Sequence, residues 1–456
     1  MNPAERAAAG SDILWRRGEE TEFQSNVISY STLHLPRTRR GCGIQYRYNA
    51  RSCFLPMASD STALEIAASR KAGPAARAGM TVLVLLSFGH FFIDLYSSAL
   101  GALQPFLVDK LNLSLTQAGL LGGAMVFTSS VMQPVYGFLS DRFHTRLFAA
   151  LAPAVAGIGI SALGLAPGFG WVLLMIIIGG AGIASFHPQA SALATTGVAS
   201  GRGRSMAVFI SAGTLGMALG PTYFSWLAIT LGLANSYWAA IPGILMTILL
   251  VSMLPPLKHA AASRQSGFDL APFKAVWKPL IILYFLVFIR SIVQITFAQL
   301  LPLYLHRERG FSIAGASYAL SLYLTAGAIG GFLGGHLSDR LGGRKVILIS
   351  MISCVPFLAI FFLTHGWISI AGLAMGGLTL LFTIPVNVVL AQQLAPTQTG
   401  TVSALMMGFA WGVAGMIFIP LTGLASDHFG MHAALMSLIM FPLIGFFLTL
   451  KLPKGM

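Results

Sequence analysis

The sequence predicts an all-α membrane protein of twelve transmembrane helices arranged as two pseudo-symmetric six-helix bundles. Three observations predict it: a composition too apolar for water, a dozen apolar runs of spanning length, and a motif that returns after half of the bundle. Only 9% of the 456 residues are charged and 55% are hydrophobic. Mean hydropathy is +0.77, which leaves too little polar surface to cover a water-soluble domain. In hydrocarbon only helices and closed barrels satisfy their own backbone, and a spanning helix needs roughly 20 mainly apolar residues.

Residues 1–79 carry eleven of the 28 Lys and Arg residues, among Ala, Gly, Ser and Pro, and contain no apolar run long enough to span or to act as a secretory signal. Such a segment has too little apolar content to offset its ordering entropy and reads as a disordered extension. Within it, Met57-Ala58-Ser59-Asp60 has the look of an ordinary start. The spans follow near 80–103, 115–139, 147–166, 171–195, 206–231 and 236–255, which form a first bundle over 80–255. A linker at 256–278 leads to spans near 279–303, 313–337, 346–364, 368–391, 400–425 and 432–450, and so to a second bundle over 279–456.

Charge confirms the count and sets the orientation. Within these windows the only acid is Asp94 and the only Lys or Arg is Arg290. With the amino terminus inside, the inner loops and carboxyl tail hold Arg142, Arg146, Arg202, Arg204, Lys258, Arg264, Lys274, Lys278, Arg340, Arg344, Lys345, Lys451 and Lys454. The outer loops hold only Lys110, Arg307 and Arg309. Basic residues are retained on the cytoplasmic side, so both termini are predicted there, in a bacterial inner membrane. The same bias accounts for much of the +14 net charge without a nucleic-acid partner, which would need a clustered basic face on a soluble element. Cys42, Cys53 and Cys354 make neither a metal spacing nor a disulfide framework and read as free thiols. No nucleotide-binding loop, nucleophile set or cofactor motif is present, so neither an enzyme nor an ATP-driven pump is expected.

The repeat is specific. Gly137-Phe138-Leu139-Ser140-Asp141-Arg142, ending the second span, returns as Gly335-His336-Leu337-Ser338-Asp339-Arg340, ending the eighth. The offset is 198 residues, and nearly the same offset relates Ser114 to Ser312 and Pro105 to Pro302. A six-helix unit duplicated in parallel gives this pattern. Its glycines let helices approach closely, and its Asp and Arg can pair at the membrane face, in one arrangement when that side is shut and another when it opens. A solvated loop pair of little energetic weight is the plainer alternative.

Gly-x-x-x-Asp-Arg with a basic tail, seen here as Gly137 to Arg146 and as Gly335 through Arg344 to Lys345, resembles the signature loop of the major facilitator superfamily. The fit covers about residues 80–452 and implies the major facilitator fold. Gly216-x-x-x-Gly220-Pro221 resembles part of the motif of proton-coupled drug antiporters, with Phe224-Ser225 where a glycine pair is expected. A narrower set looks like the fosmidomycin resistance protein group: Gly89-His90-Phe91-Phe92-x-Asp94-x-Tyr96, Gln133-Pro134-x-x-Gly137 and Phe186-His187-Pro188. That resemblance implies proton-coupled efflux of a small, anionic drug or metabolite. The group commonly has an acid after the His-Pro pair, where this chain has Gln189.

The ionisable groups at mid-span are the candidate site. A charged side chain at a helix centre costs about 2.5–3.5 kcal/mol on insertion scales. His90 and Asp94 are four apart and share a helix face, which suits proton exchange between them or with the substrate; joining two helices by a hydrogen bond is the alternative. Arg290, in the span equivalent to that of Asp94, is expected to pair with it in turn or to hold an anionic substrate through its planar fork. His187 before Pro188 and Asn387 after Pro385 occupy equivalent bends. With Gln189, Gln294, Gln299, Tyr96 and Phe297 they are expected to line a substrate path, although glutamines also bridge helices. The expected protein is a monomeric secondary transporter working by alternating access, with uptake or efflux of a sugar or other metabolite, or a transport-inactive receptor, as rivals.

Overall fold

The computed structural model describes residues 74–143, 145–194, 202–255 and 271–455, so the expectations for residues 1–73 and for most of the linker lie outside it. Among the described residues twelve helices are long and apolar enough to cross a membrane. They are α1 (Gly79–Leu111), α2 (Leu115–Ser140), α3 (Leu147–Leu165), α4 (Phe169–Ala194), α5 (Ser205–Leu231) and α6 (Leu233–Met253) in one half. The other half has α7 (Val276–Arg307), α8 (Ile313–Leu341), α9 (Gly343–Leu363), α10 (Gly366–Leu394), α11 (Thr401–Phe429) and α12 (Met431–Thr449). Each matches a predicted window to within a few residues except at two ends. α1 runs through Pro105 to Leu111, and the helix that contains α7 already begins at Ala271 and passes through Pro279.

Local chemistry marks the equivalent starts. Ser114 and Gln117 form a reciprocal capping box at α2, with Ser114 Oγ accepting from the Gln117 backbone N–H at 3.1 Å and Gln117 Oε1 from that of Ser114 at 2.9 Å. Ser312 caps α8 in the same manner, its Oγ accepting from the Gly315 N–H at 3.1 Å.

The two halves meet at the end where α1 turns into α2 and α7 into α8, here called the latch end. There α1 packs on α7, α2 on α11 and α5 on α8. The approach is closest at glycine: a Cβ on Gly101 would stand 2.1 Å from the Ala298 carbonyl oxygen, and one on Gly119 2.8 Å from that of Ile419. Asp427, at the end of α11, caps α2 across the interface. Its carboxylate accepts from the N–H groups of Leu115 and Thr116 at 2.9 and 2.8 Å and from the Thr116 hydroxyl at 2.6 Å. Arg307 donates to Asp109 at 2.8 Å, two residues 198 apart and so equivalent under the repeat. Thr222 and Ser321 share a hydrogen bond of 2.8 Å between α5 and α8.

At the opposite end, which carries the two Gly-Asp-Arg loops, two arginines bond within their own halves. Arg146 donates to the Val251 carbonyl at 3.0 Å, tying α3 to the end of α6, and Arg344 donates to that of Leu450 at 3.1 Å, tying α9 to the end of α12. Gly137 faces Pro188 and Gly335 faces Pro385 with room for ordinary contact. The helical segment Gln133–Phe143, which ends α2 and runs just past it, packs mainly on α4, leaving Pro134, Val135 and Phe138 exposed. The bundle is therefore closed at the latch end and parted at the loop end. The passage between these regimes falls at two π-helical turns, Phe127–Val131 in α2 and Leu405–Phe409 in α11, which lie against each other.

Candidate functional site

The polar centre of the first half is built by α1, α4 and α5. α1 places His90 and Asp94 on one face, and α5 can lie against that face because it presents glycine there. A Cβ on Gly213 would be 2.5 Å from the His90 ring and 2.6 Å from Asp94 Oδ2, and one on Gly216 would be 2.0 Å from the Phe91 carbonyl oxygen. α4 supplies His187 from the turn before Pro188.

Asp94 stands between two imidazoles. His90 Nε2 lies 3.3 Å from Asp94 Oδ2 and His187 Nε2 lies 3.3 Å from Asp94 Oδ1, with the two rings edge to face at 5.1 Å. His90 Nδ1 meets the Phe209 carbonyl at 2.8 Å, and His187 Nδ1 meets that of Ile183 at 2.9 Å. A carbonyl oxygen only accepts, so the bonding network assigns a hydrogen to each Nδ1 and turns each Nε2 toward the carboxylate. Each Nε2 to oxygen contact then needs a proton of its own, on the nitrogen or on the oxygen. Both contacts are satisfied only when the trio holds two protons beyond the state of one carboxylate and two neutral imidazoles, for a net charge of +1. Removing one proton opposes lone pairs across one contact. Among the described residues this is the one group of three or more His, Cys, Asp or Glu side chains with donor atoms within 4.8 Å of one another, so a small cation, the proton included, fits its chemistry.

The second half holds a different centre. Arg290 is 4% exposed, donates to Gln294 Oε1 and, at 3.2 Å, to Ser291 Oγ, and its Nε has no partner. Among the described residues it faces no carboxylate. Asn387 is fully buried with neither amide atom bonded, and the hydroxyl of Tyr323 and Oε1 of Gln299 are likewise unpartnered.

These placements bear on several of the expected roles. Asp94 and Arg290 form no ion pair, because both carboxylate oxygens are engaged by histidine. His187 joins Asp94. Gln189 is a helix bridge: its oxygen accepts from the Ala149 N–H at 2.8 Å and its nitrogen donates to Ser140 Oγ at 2.7 Å and to the Thr145 carbonyl at 2.6 Å, which uses its amide. Tyr96 is fully buried, its hydroxyl donating to the Ala239 carbonyl at 2.8 Å and accepting from the Gly243 N–H at 2.9 Å, so it staples α1 to α6. Phe297 is packed in an aromatic cluster with Tyr323, Phe361 and Phe362, and Gln294 is engaged by Arg290. Of the loop motif, Asp339 and Arg340 are exposed and make no ion pair among the described residues, Arg142 is exposed, and the Asp141 side chain lies outside them.

Gly213 and Phe209 were not anticipated as parts of the site. The signal for the glycine was present: Gly213, Gly216 and Gly220 recur at helical spacing, a stripe that marks a face pressed against a neighbour.

The family model for the Major Facilitator Superfamily matches residues 86–419 and 283–455. An "Uncharacterized MFS-type transporter YfnC" of Bacillus subtilis (strain 168) is 29% identical over 393 residues, 84% of this chain and 96% of the relative. The "Fosmidomycin resistance protein" of Escherichia coli (strain K12) is 28% identical over 386 residues, 83% of this chain and 94% of the relative. A solved bacterial homologue of the human lysosomal transporter Spinster, in an inward-facing and occupied conformation, superposes with a TM-score of 0.68 at 16% identity, covering 81% of this chain and 96% of that one. The twelve-helix bundle, its internal repeat and these matches agree that the chain belongs to the Major Facilitator Superfamily, a multi-pass membrane transporter.

Proposed function

We propose that this transporter couples proton movement to the export of a small anionic drug or metabolite, fosmidomycin-like in size and charge, across a bacterial inner membrane by alternating access. The observation that carries the reading is Asp94 held between His90 and His187, an arrangement satisfied by two protons and unbalanced by the loss of one. The bias of basic residues supports a cytoplasmic position for both termini and the Gly-Asp-Arg loops, and in this reading the parted end opens inward and the latch end closes the outside. Arg290 supports an anionic substrate: a buried guanidinium without a carboxylate calls for a counter-charge, and its fork fits two oxygens of a phosphonate or carboxylate. The functional unit is a monomer, as expected for a bundle that contains both halves in one chain.

The test is flux in proteoliposomes under an imposed pH gradient, with fosmidomycin as first probe and the positives from a susceptibility panel as the rest. Asp94→Asn is expected to abolish gradient-driven accumulation while leaving downhill exchange; uphill transport by that variant at the wild-type level ends the proposal. Arg290→Lys is expected to weaken anion affinity, and unchanged affinity removes the bidentate role.

A further inference from the structure

We infer that His187 is the water-side port of the proton path and His90 its closed end, so that protons reach Asp94 through His187. The inference rests on the proton-coupled reading above and adds its order. The three side chains differ in access: His187 is 24% exposed, Asp94 10% and His90 8%. His90 is enclosed. Its ring is stacked on Phe209 at 4.2 Å, has Phe186 at 6.1 Å, and is covered by the backbone of Gly213. His187 adjoins Pro188, which faces Gly137 in the part of α2 that has separated from the second half. The titratable groups facing His187 are Asp94 and His90, both from α1, while α2 and α5 bring Gly137 and Gly213 to the region.

The transfer balances as follows. A hydronium ion from the parted end protonates the Nε2 lone pair of His187, forming an N–H bond and releasing water. That N–H breaks as Asp94 Oδ1 takes the proton, leaving His187 neutral and the carboxyl protonated. The carboxyl then turns about its Cβ–Cγ bond so that the protonated oxygen faces His90, and that O–H breaks as His90 Nε2 takes the proton, restoring the carboxylate beside an imidazolium. A second proton entering by the same port completes the two-proton state. Neither Nδ1 takes part, because each donates to a backbone carbonyl.

The experiment uses the full-length purified protein in detergent, a stopped-flow pH jump and a pH-indicator dye, with the Asp94→Asn trace subtracted to isolate uptake that depends on the carboxylate. His187→Ala is expected to slow this uptake about a hundredfold, the low end of what a positioned acid–base group contributes. Added imidazole is expected to restore it by filling the open cavity. His90→Ala is expected to gain nothing from imidazole, since its site is walled off. His187→Gln, which fills the space, is expected to be slow with or without imidazole. Should size exclusion show that His187→Ala has lost its fold, His187→Ser leaves a similar hole and is read in the same way. Wild-type rates in His187→Ala, slow uptake that imidazole fails to restore, or rescue confined to His90→Ala would each overturn the port assignment. An Asp94→Asn trace identical to wild type would instead remove the proton-coupled reading itself.

Discussion

Asp427→Ala isolates the closure of the latch end. Asp427 accepts three hydrogen bonds from α2 across the half-to-half boundary, at 2.6 to 2.9 Å, and two of them come from backbone N–H groups at the helix start. Buried, three charge-assisted bonds would contribute several kcal/mol, but Asp427 is exposed, and water supplies much of what is lost. The appropriate scale is the removal of a helix cap, about 1 kcal/mol. These bonds exist only while the latch end is shut, so their loss changes the ratio of the two access states by about fivefold. Spin labels at the latch ends of α2 and α11, read by pulsed electron resonance, report that ratio. The expected result is a larger population at long distance in Asp427→Ala and an intermediate one in Asp427→Asn, which keeps one acceptor. An unchanged distance distribution, in a variant that folds normally, would refute the assignment of these bonds to the gate.

Three further outcomes follow from the same packing. Exchanging Asp109 for Arg and Arg307 for Asp together should restore the state ratio that either single change disturbs, by at most about 1 kcal/mol because both residues are partly exposed, with the disturbance smaller at high salt. Tyr96→Phe leaves the Ala239 carbonyl and the Gly243 N–H buried without their partner, so thermal unfolding should show a loss of about 1–3 kcal/mol with substrate affinity unchanged. Gly213→Ala drives a methyl into His90 and Asp94; it should uncouple flux from the pH gradient in proteoliposomes far more than the same change at Gly170, where no atom lies near.

Much of this architecture can be read from the chain because the bilayer permits few solutions. A long apolar run must become a helix, and a motif repeated at a fixed offset must occupy equivalent positions. The same constraint singles out Asp94, His90 and Arg290, since an ionisable group at mid-span carries a solvation cost. Which partner each finds depends on packing that no local pattern encodes. Asp94 and Arg290 are attractive on charge and symmetry, yet the glycine face of α5 lets α1 settle where both carboxylate oxygens meet histidine. The roles of Gln189 and Tyr96 are hard to read from sequence for a related reason. Polar side chains in a membrane helix look alike whether they face a ligand or a neighbouring backbone, and only the positions of Thr145 and Gly243 separate the cases. The latch was missed because Asp109, Arg307 and Asp427 sit at helix ends, where charges need no special explanation.

The Asp109 to Arg307 contact carries a consequence for how such a molecule could arise. Residues related by the repeat meet only on the rotation axis that relates the halves, so in a symmetric pair of unduplicated half-molecules each would touch its own copy. Carboxylate would face carboxylate, or guanidinium would face guanidinium, and the contact would repel. Joining the halves into one polypeptide frees the two copies to diverge, and opposite charges at this position are what only a fused chain can encode. The Asp94 trio and Arg290 express the same freedom at greater depth, where the first helix of one half carries the acid and the first helix of the other carries the base.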